Sequence, residues 1–507
     1  MVFDLAAKRA DLTPQREAVL FDGRWYSYRD LNDRAARLAG RLAEAGVSKG
    51  DRVSILALNH LAHLDLILAA AKLGFVYAPL NYRLAAAEQR EIVGYLRPNV
   101  LVYGEAHAGV ADGLEVAAKV ALGGYEGWLG DAPPPPPPPA LRGDDIHMIL
   151  LTGGTTGLPK GAMLPYRQGF YNAVNTVLSW GLREDDRVVQ ATPAFHAAVN
   201  VFTLPLLYQG GSVVLMEQFE TGDYLRLVQE QACTLLFMVP TMFKGLADHP
   251  GFARADLSGV RWAISGGAPC PAPVRDAFAA KGVRFKQGYG LTEAGVNCFA
   301  IDIDGAQRRP DSVGKPMLCA EAVVRRADGS PAQKGEVGEL TLRGPHLFAG
   351  YFERPEATGE TLKDGWLWTG DLAREDDEGF FYIAGRRKDM FISGGENVFP
   401  AEVETALYAH AGVSECAVVG VPDATWGEVG LAALALRPGV EVTAEAIRAF
   451  LQTRLARYKV PKHVVFLESL PKSGAGKVLK RELAEGFEKN RPEKNRPEKN
   501  RARAGTR

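Results

Sequence analysis

The feature that most constrains the fold is an alternation of short apolar runs with amphipathic segments between residues 20 and 103. From Tyr28 to Ala45, Leu31, Ala35, Leu38 and Leu42 recur on one face at helical spacing. Ser27 and Asp30 stand where a capping box with a shortened acid closes the first turn, and Gly46 stops the helix. The preceding FDGRWYSY reads as a hairpin; Arg52–Leu56, Ala62–Leu73, Val76–Pro79, Glu88–Leu96 and Val100–Tyr103 follow as strand, helix, strand, helix, strand. A chain that repeats this order lays its strands in a mostly parallel sheet with helices on the faces, an α/β fold. With 507 residues and 47% hydrophobic content there is material for two or three domains.

Charge and cysteine usage exclude several classes. A formal net charge of −1 argues against a specific nucleic-acid partner, which needs a broad basic face. Basic residues gather at the end instead: residues 488–507 hold eight Lys or Arg against three Glu, in the repeat EKNRP-EKNRP-EKNR. That repeat has no apolar face, so residues 486–507 are expected to be a disordered basic tail, suited to weak contact with an anionic membrane surface or nucleic acid, or inert. Cysteines at 233, 270, 298, 319 and 416 form no C-x-x-C pair and fit reduced thiols in a cytoplasmic enzyme. MVFDLAAKRADL shows no signal peptide, and Leu61–Leu80 is broken by His63, Asp65 and Lys72, as in a buried helix and strand rather than a transmembrane segment. The seven prolines at 133–139 read as an extended surface spacer of roughly 20 Å.

Chemistry first becomes visible in LTGGTTGLPKGAM, residues 151–163. The amides of Gly153, Gly154 and Gly157 can converge on phosphate oxygens, Thr152, Thr155 and Thr156 add hydroxyl donors, and Lys160 adds a mobile positive charge. The spacing differs from that of the familiar phosphate loop in which Gly-Lys-Ser/Thr opens a helix: Gly161 and Ala162 follow Lys160, and Pro159 precedes it. A loop joining two strands is expected, with a Gly/Thr-rich surface turn as the alternative.

Further along, Arg187–Ala191 reads as a strand ending in TPAFHAA, which puts Phe195 and His196 at a strand end, where doubly wound sheets collect ligands; a structural histidine is the alternative. VPTMF at 239–243 and SGGAP at 265–269 follow further strands, and Gly266 and Gly267 leave bare backbone for a planar ligand. In QGYGLTEAG, residues 287–295, Tyr289 offers a ring for stacking on a base, and Thr292 and Glu293 offer a hydroxyl and a carboxylate. A carboxylate beside polyphosphate calls for a divalent cation between them, so Glu293 implies Mg²⁺. From residue 310, GKPM, KGEVGELTLRG and FAGYFERPEAT suggest a small β-rich subdomain, and WLWTGDLA supplies Asp371 for a ribose diol. A compact α+β unit is expected after GRRKDMFISGGENVFPAEVE, closing with PKSGAGKVLKREL, where Lys477 stands in a Ser/Gly loop before a helix.

Together these motifs resemble those of the adenylate-forming (AMP-binding) superfamily of acyl-CoA synthetases, peptide-synthetase adenylation domains and luciferases, over about residues 15–485. The resemblance implies a large N-terminal domain of mixed, mostly parallel sheets, residues 1–387, and a small mobile α+β domain, residues 388–485. It implies a carboxylate attacking the α-phosphate of ATP to give acyl-AMP and pyrophosphate, followed by transfer to a thiol after the small domain rotates. Carried over residue by residue, Thr152–Lys160 hold the β- and γ-phosphates, and Thr292 contacts the α-phosphate. Glu293, with Thr152 as a second candidate, holds Mg²⁺. Gln287, Gly288, Tyr289 and Gly267, Ala268 and Pro269 border adenine, Asp371 and Arg386 bind ribose, and Lys477 bridges the attacking carboxylate and the α-phosphate. Lys388 matches the hinge, Gly395 lets pantetheine pass, and His196 belongs to an aromatic gate at the carboxylate site; Tyr458 and Lys459 lie where relatives contact the CoA nucleotide.

Amino-acid-activating members carry an aspartate near His196 to pair the substrate ammonium, whereas here Ala197, Ala198 and Val199 follow. The expected acid is therefore fatty, of medium to long chain, or aromatic, and the expected thiol is coenzyme A. An enzyme loading a carrier protein and a non-catalytic binder of nucleotide or acyl-AMP are the rivals. A homodimer is compatible with the sequence.

Overall fold

The computed structural model describes residues 2–152, 159–472 and 478–490, which divide by internal contacts into two compact units. The first comprises residues 1–268, 278–322 and 341–368, the second residues 269–277, 323–340 and 369–507.

Two sheets organise the first unit. The six-stranded one runs Ala118–Ala121, Val100–Tyr103, Arg52–Leu56, Val76–Tyr77, Ile146–Thr152, Lys160–Pro165, parallel except for the final pair. The seven-stranded one runs Phe285–Gln287, Trp262–Ser265, Leu235–Met238, Arg187–Gln190, Ser212–Leu215, Glu17–Phe21, Arg24–Ser27, again parallel up to an edge hairpin. The hairpin expected from FDGRWYSY thus exists, but it closes a different sheet from Arg52–Leu56. The helix Tyr28–Glu44 carries the expected capping box: Asp30 N donates to Ser27 Oγ at 3.2 Å, and Ser27 N to Asp30 Oδ2 at 2.7 Å.

The polar residues that broke the apolar stretch all have partners in the interior. Asp65, fully buried, accepts from Arg34 Nη2 at 2.8 Å and from the Tyr125 hydroxyl at 3.2 Å. Lys72 Nζ donates to Asp4 and Asn32, both at 2.7 Å, and His63 Nδ1 lies 2.7 Å from the Tyr77 hydroxyl. A buried charge or polar group is tolerated only when it is paired in this way. Among the described residues no helix is long and apolar enough to cross a membrane.

The proline run is more than a spacer. Pro133, Pro136 and Pro139 are half-buried and the prolines between them mostly exposed, the period of three that a polyproline helix presents along one edge. A Cβ on Gly40 would strike the Pro133 carbonyl, and one on Gly74 would come within 3.1 Å of Pro139 Cγ, so the run straps the helix Tyr28–Glu44 and the C-cap of the helix Leu61–Leu73. In VPTMF, which follows the strand Leu235–Met238, Pro240 opens the helix Pro240–Asp248, as its missing N–H allows at the first helical position.

The strands Gly338–Arg343 and Trp366–Glu375 carry the chain between the units and belong to a five-stranded sheet with Glu321–Arg325, Leu362–Lys363 and Phe381–Arg386, the β-rich subdomain expected from residue 310 onward. In the second unit, Glu396–Val398, Phe391–Ser393, Gly427–Leu436 and Val413–Asp423 form an antiparallel sheet, and His463–Phe466 joins Gly427–Leu436 in parallel. Val403, Leu407, Val418, Leu434, Ile447 and Leu451 form its core. Its last helix is Lys480–Asn490, which runs on past residue 485. Leu483 is buried and Phe487 packs on His463 at 4.8 Å, so one apolar stripe draws the first residues of the polar repeat into the helix.

Candidate active site

The expected phosphate loop joins the antiparallel strands Ile146–Thr152 and Lys160–Pro165, with Thr152 opposite Lys160 in register. Thr152 Oγ1 donates to the Lys160 carbonyl at 3.3 Å, closing the base of the loop. Gly153, Gly154, Thr155, Thr156 and Gly157, and Lys477 in the later lysine loop, lie outside the described residues.

Across the first unit, Gln287 ends a strand in register with Ser265, and Gly288 N donates to Ser265 O at 2.7 Å. Two candidate adenine borders, SGGAP and QGYG, therefore leave adjacent parallel strands at the same end. Gly267, Ala268 and Pro269 are exposed, and the Tyr289 ring meets Phe299 edge-on at 5.8 Å. Thr292 and Glu293 fall on a short 3₁₀ turn, Thr292–Ala294. Gln168 Nε2 donates to Thr292 O at 3.0 Å, and Phe348 N to Glu293 O at 2.8 Å, so both backbones are held from outside the motif. Beneath them Asn297 Nδ2 donates to Thr176 Oγ1 at 2.8 Å and Asn172 Nδ2 to Asn200 O at 2.6 Å, linking this turn to a helix and to the segment after His196. Asn172, Asn200 and Asn297 escaped the sequence reading, although buried asparagines in apolar surroundings are the signal that a network needs.

His196 sits after Phe195, whose ring it meets at 4.4 Å; Phe195 in turn packs edge-on to Tyr82 at 5.2 Å. Asn59 positions this segment, accepting from Ala194 N at 2.7 Å and donating to Thr192 O at 3.1 Å and Met216 O at 2.9 Å. Burial, with a smaller push from the Arg83 charge, lowers the His196 pKa to about 4, so the ring is neutral at pH 7. Its Nε2 is buried and has no hydrogen-bond partner among the described residues.

The carboxylate of Glu293 is buried and accepts from the Tyr351 hydroxyl at 2.8 Å. Among the described residues no cluster of three or more His, Cys, Asp or Glu forms a metal cage. A single buried carboxylate still suits Mg²⁺, which keeps its waters and is bound through one or two carboxylates plus substrate phosphates. Tyr351 was missed because FAGYFERPEAT reads as ordinary turn sequence.

In the second unit, Asp371 and Arg386 face each other across paired strands, with Arg386 Nε 3.0 Å from Asp371 Oδ1. Glu339 braces them: its carboxylate accepts from Gly370 N at 3.0 Å and Arg387 Nη1 at 2.9 Å. Glu339 also escaped the sequence reading, although an acid inside the apolar run of GELTLR marks a buried, partnered carboxylate. Lys388 is exposed in the turn that follows Arg386. Gly394 and Gly395, both at positive φ (60° and 88°), form the two-residue turn between Phe391–Ser393 and Glu396–Val398, a conformation that side chains disfavour. Lys459 Nζ pairs with Glu402 at 2.7 Å, and Tyr458 is partly exposed beside it.

Residues 6–352 match the AMP-binding enzyme family and residues 402–477 the AMP-binding enzyme C-terminal domain. The chain is 41% identical to a feruloyl-CoA synthase of Amycolatopsis over 95% of this chain and 98% of that one. It is 36% identical to a long-chain-fatty-acid–CoA ligase of Mycobacterium tuberculosis over 96% and 98%. The solved structure of ATP-bound MatB from Rhodopseudomonas palustris superposes with a TM-score of 0.89 at 31% identity, covering 96% of this chain and 99% of that one. The chain belongs to the AMP-binding enzyme family and is an AMP-forming acid–thiol ligase of its acyl- and aryl-CoA ligase branch.

Proposed function

We propose that this ligase joins coenzyme A to an apolar carboxylic acid, with aromatic acids of the ferulate type ahead of medium- to long-chain fatty acids. The observation that carries the reading is the His196 segment: Phe195, Ala197 and Val199 are buried, the neutral His196 ring stands beside them, and FHAAVNVF, residues 195–202, holds no acid to pair a substrate ammonium. The names of the 41% and 36% identical relatives support the aromatic and the fatty acid respectively. In this reading the domain of residues 1–387 binds ATP and the acid, and residues 388–485 form the small domain that turns at Lys388. Lys160 and its loop hold the leaving pyrophosphate, and Lys477 meets the attacking carboxylate at the α-phosphate. Asp371 and Arg386 take the ribose; Gly267, Ala268, Pro269 and Tyr289 take the adenine. Mg²⁺ at Glu293 would neutralise charge between that carboxylate and the polyphosphate. Reduced cysteines and the use of ATP and CoA suit the cytoplasm.

The test is pyrophosphate release from ATP and Mg²⁺ across cinnamic-type, benzoic and C4 to C18 acids, followed by CoA-thioester formation. The reading expects the highest kcat/KM with a ferulate-like acid. A preference for C12 to C18 acids selects the fatty alternative. Release with an inert CoA but an acylated holo-carrier protein overturns the CoA assignment.

A further inference from the structure

FAGYFERPEAT runs alongside the phosphate hairpin. Ala349 N donates to Met163 O and Met163 N to Gly350 O, each at 2.9 Å; Phe352 N donates to Gly161 O at 2.8 Å, and Tyr351 stands opposite Ala162 in an antiparallel bridge. The approach requires a glycine at 161, since a Cβ there would lie 2.8 Å from Ile149 Cγ2 and 3.4 Å from Phe352 Cβ. From the helix Pro355–Thr361, Thr358 Oγ1 accepts from Tyr351 N at 2.9 Å and donates to Arg354 O at 2.9 Å. The Tyr351 backbone is thus held on both sides.

Its side chain contacts a carboxylate and a cation. The hydroxyl donates to Glu293 Oε1 at 2.8 Å, and Lys160 Nζ lies 4.9 Å from the ring centre. Both Tyr351 and Glu293 are less than a tenth exposed, at 8% and 9%. An O–H donated to a buried carboxylate fixes its rotation, and the ring face offers the ammonium a partner other than that carboxylate. We infer that Tyr351 is a positioning residue that orients the Glu293 carboxylate for a divalent cation, an inference that rests on the role proposed above for Glu293.

Tyr351→Phe keeps the ring and removes the hydroxyl. Protein-bound Mn²⁺ is measured by water-proton relaxation in the presence of a non-hydrolysable ATP analogue, beside the melting curve of each variant. Loss of the outer-shell donor is expected to weaken Mn²⁺ binding about 10-fold, with KM for the acid unchanged. In a Glu293→Gln background the same substitution is expected to change Mn²⁺ binding no further. Unchanged Mn²⁺ affinity in Tyr351→Phe, or full additivity with Glu293→Gln, overturns the inference. Glu293→Asp, which leaves Tyr351 intact but shortens the carboxylate out of its reach, must weaken Mn²⁺ as well; if it does not, the inference fails even where Tyr351→Phe does not fold. Wild-type protein that releases no pyrophosphate with any acid defeats the functional reading instead, whereas active wild type with an unaltered Tyr351→Phe variant defeats only the positioning role.

Discussion

Asp371 and Arg386 are partners across two antiparallel strands, and the guanidinium Nε of one lies 3.0 Å from the carboxylate of the other. Asp371 is buried while Arg386 is more exposed, so the carboxylate is held in place by a residue that solvent can reach. If the pair binds ribose, Asp371→Ala removes hydrogen bonds to a charged acceptor, each worth about 1.5–3 kcal/mol, and kcat/KM for ATP falls roughly 10- to 100-fold. The sharper measurement uses 2′-deoxy-ATP. Wild type should discriminate against it and Asp371→Ala should not; equal discrimination by both contradicts the assignment.

Lys160 and Lys477 are proposed to act at opposite ends of the same displacement. Lys160→Ala should slow acyl-AMP formation by about 10²-fold or more, the usual cost of a preorganised donor, while thioester formation from supplied acyl-AMP persists. Lys477→Ala should also abolish adenylation. Comparable loss of both half-reactions in Lys160→Ala would count against this division of labour.

His196 is held neutral by burial, its pKa lowered to about 4. Its titration therefore adds no inflection to the rate near pH 6.5. The pH profiles of wild type and His196→Ala should superimpose between pH 5.5 and 8, with KM for the acid raised in the variant. An inflection near 6.5 that disappears in His196→Ala would sink the neutral-ring account.

Burial also lowers His63, His147 and His346 to about 4. Between pH 4 and the unfolded value of about 6.5 the unfolded chain binds more protons than the folded one, so stability is fully present above this window and declines as pH falls through it. At pH 5 each such histidine costs on the order of 1–2 kcal/mol relative to pH 7. Tm should drop between pH 7 and pH 5, with net proton uptake on unfolding measurable by calorimetry in buffers of different ionisation enthalpy. A flat Tm over that range rules the linkage out.

Much of the local structure was legible because local physics decides it. Ser27 and Asp30 cap a helix by hydrogen bonds within four residues, Leu31 to Leu42 share a face by helical geometry, and Arg52–Leu56 and Val100–Tyr103 are strands at the expected positions. Candidate site motifs such as QGYGLTEAG stand out for a similar reason: each carries its donors within a few residues. Tyr351, Glu339 and Asn297 were not legible, since each acts through a residue far away in the chain. Tyr351 serves Glu293, Glu339 serves Gly370 and Arg387, and Asn297 serves Thr176.

What the sequence determined by itself was the alternation of elements, the strand–loop–strand around the candidate phosphate loop, the compact α+β unit at the end and the types of donor available. Only the tertiary structure decided that the first hairpin belongs to the seven-stranded sheet and Arg52–Leu56 to the six-stranded one, that the proline run straps one helix and the C-cap of another, and that Tyr351 joins the carboxylate of Glu293. The reason is the same in each case: parallel strand pairing and buried side-chain hydrogen bonds are contacts between distant residues, settled by which partners the folded core brings within reach, and no local preference specifies them.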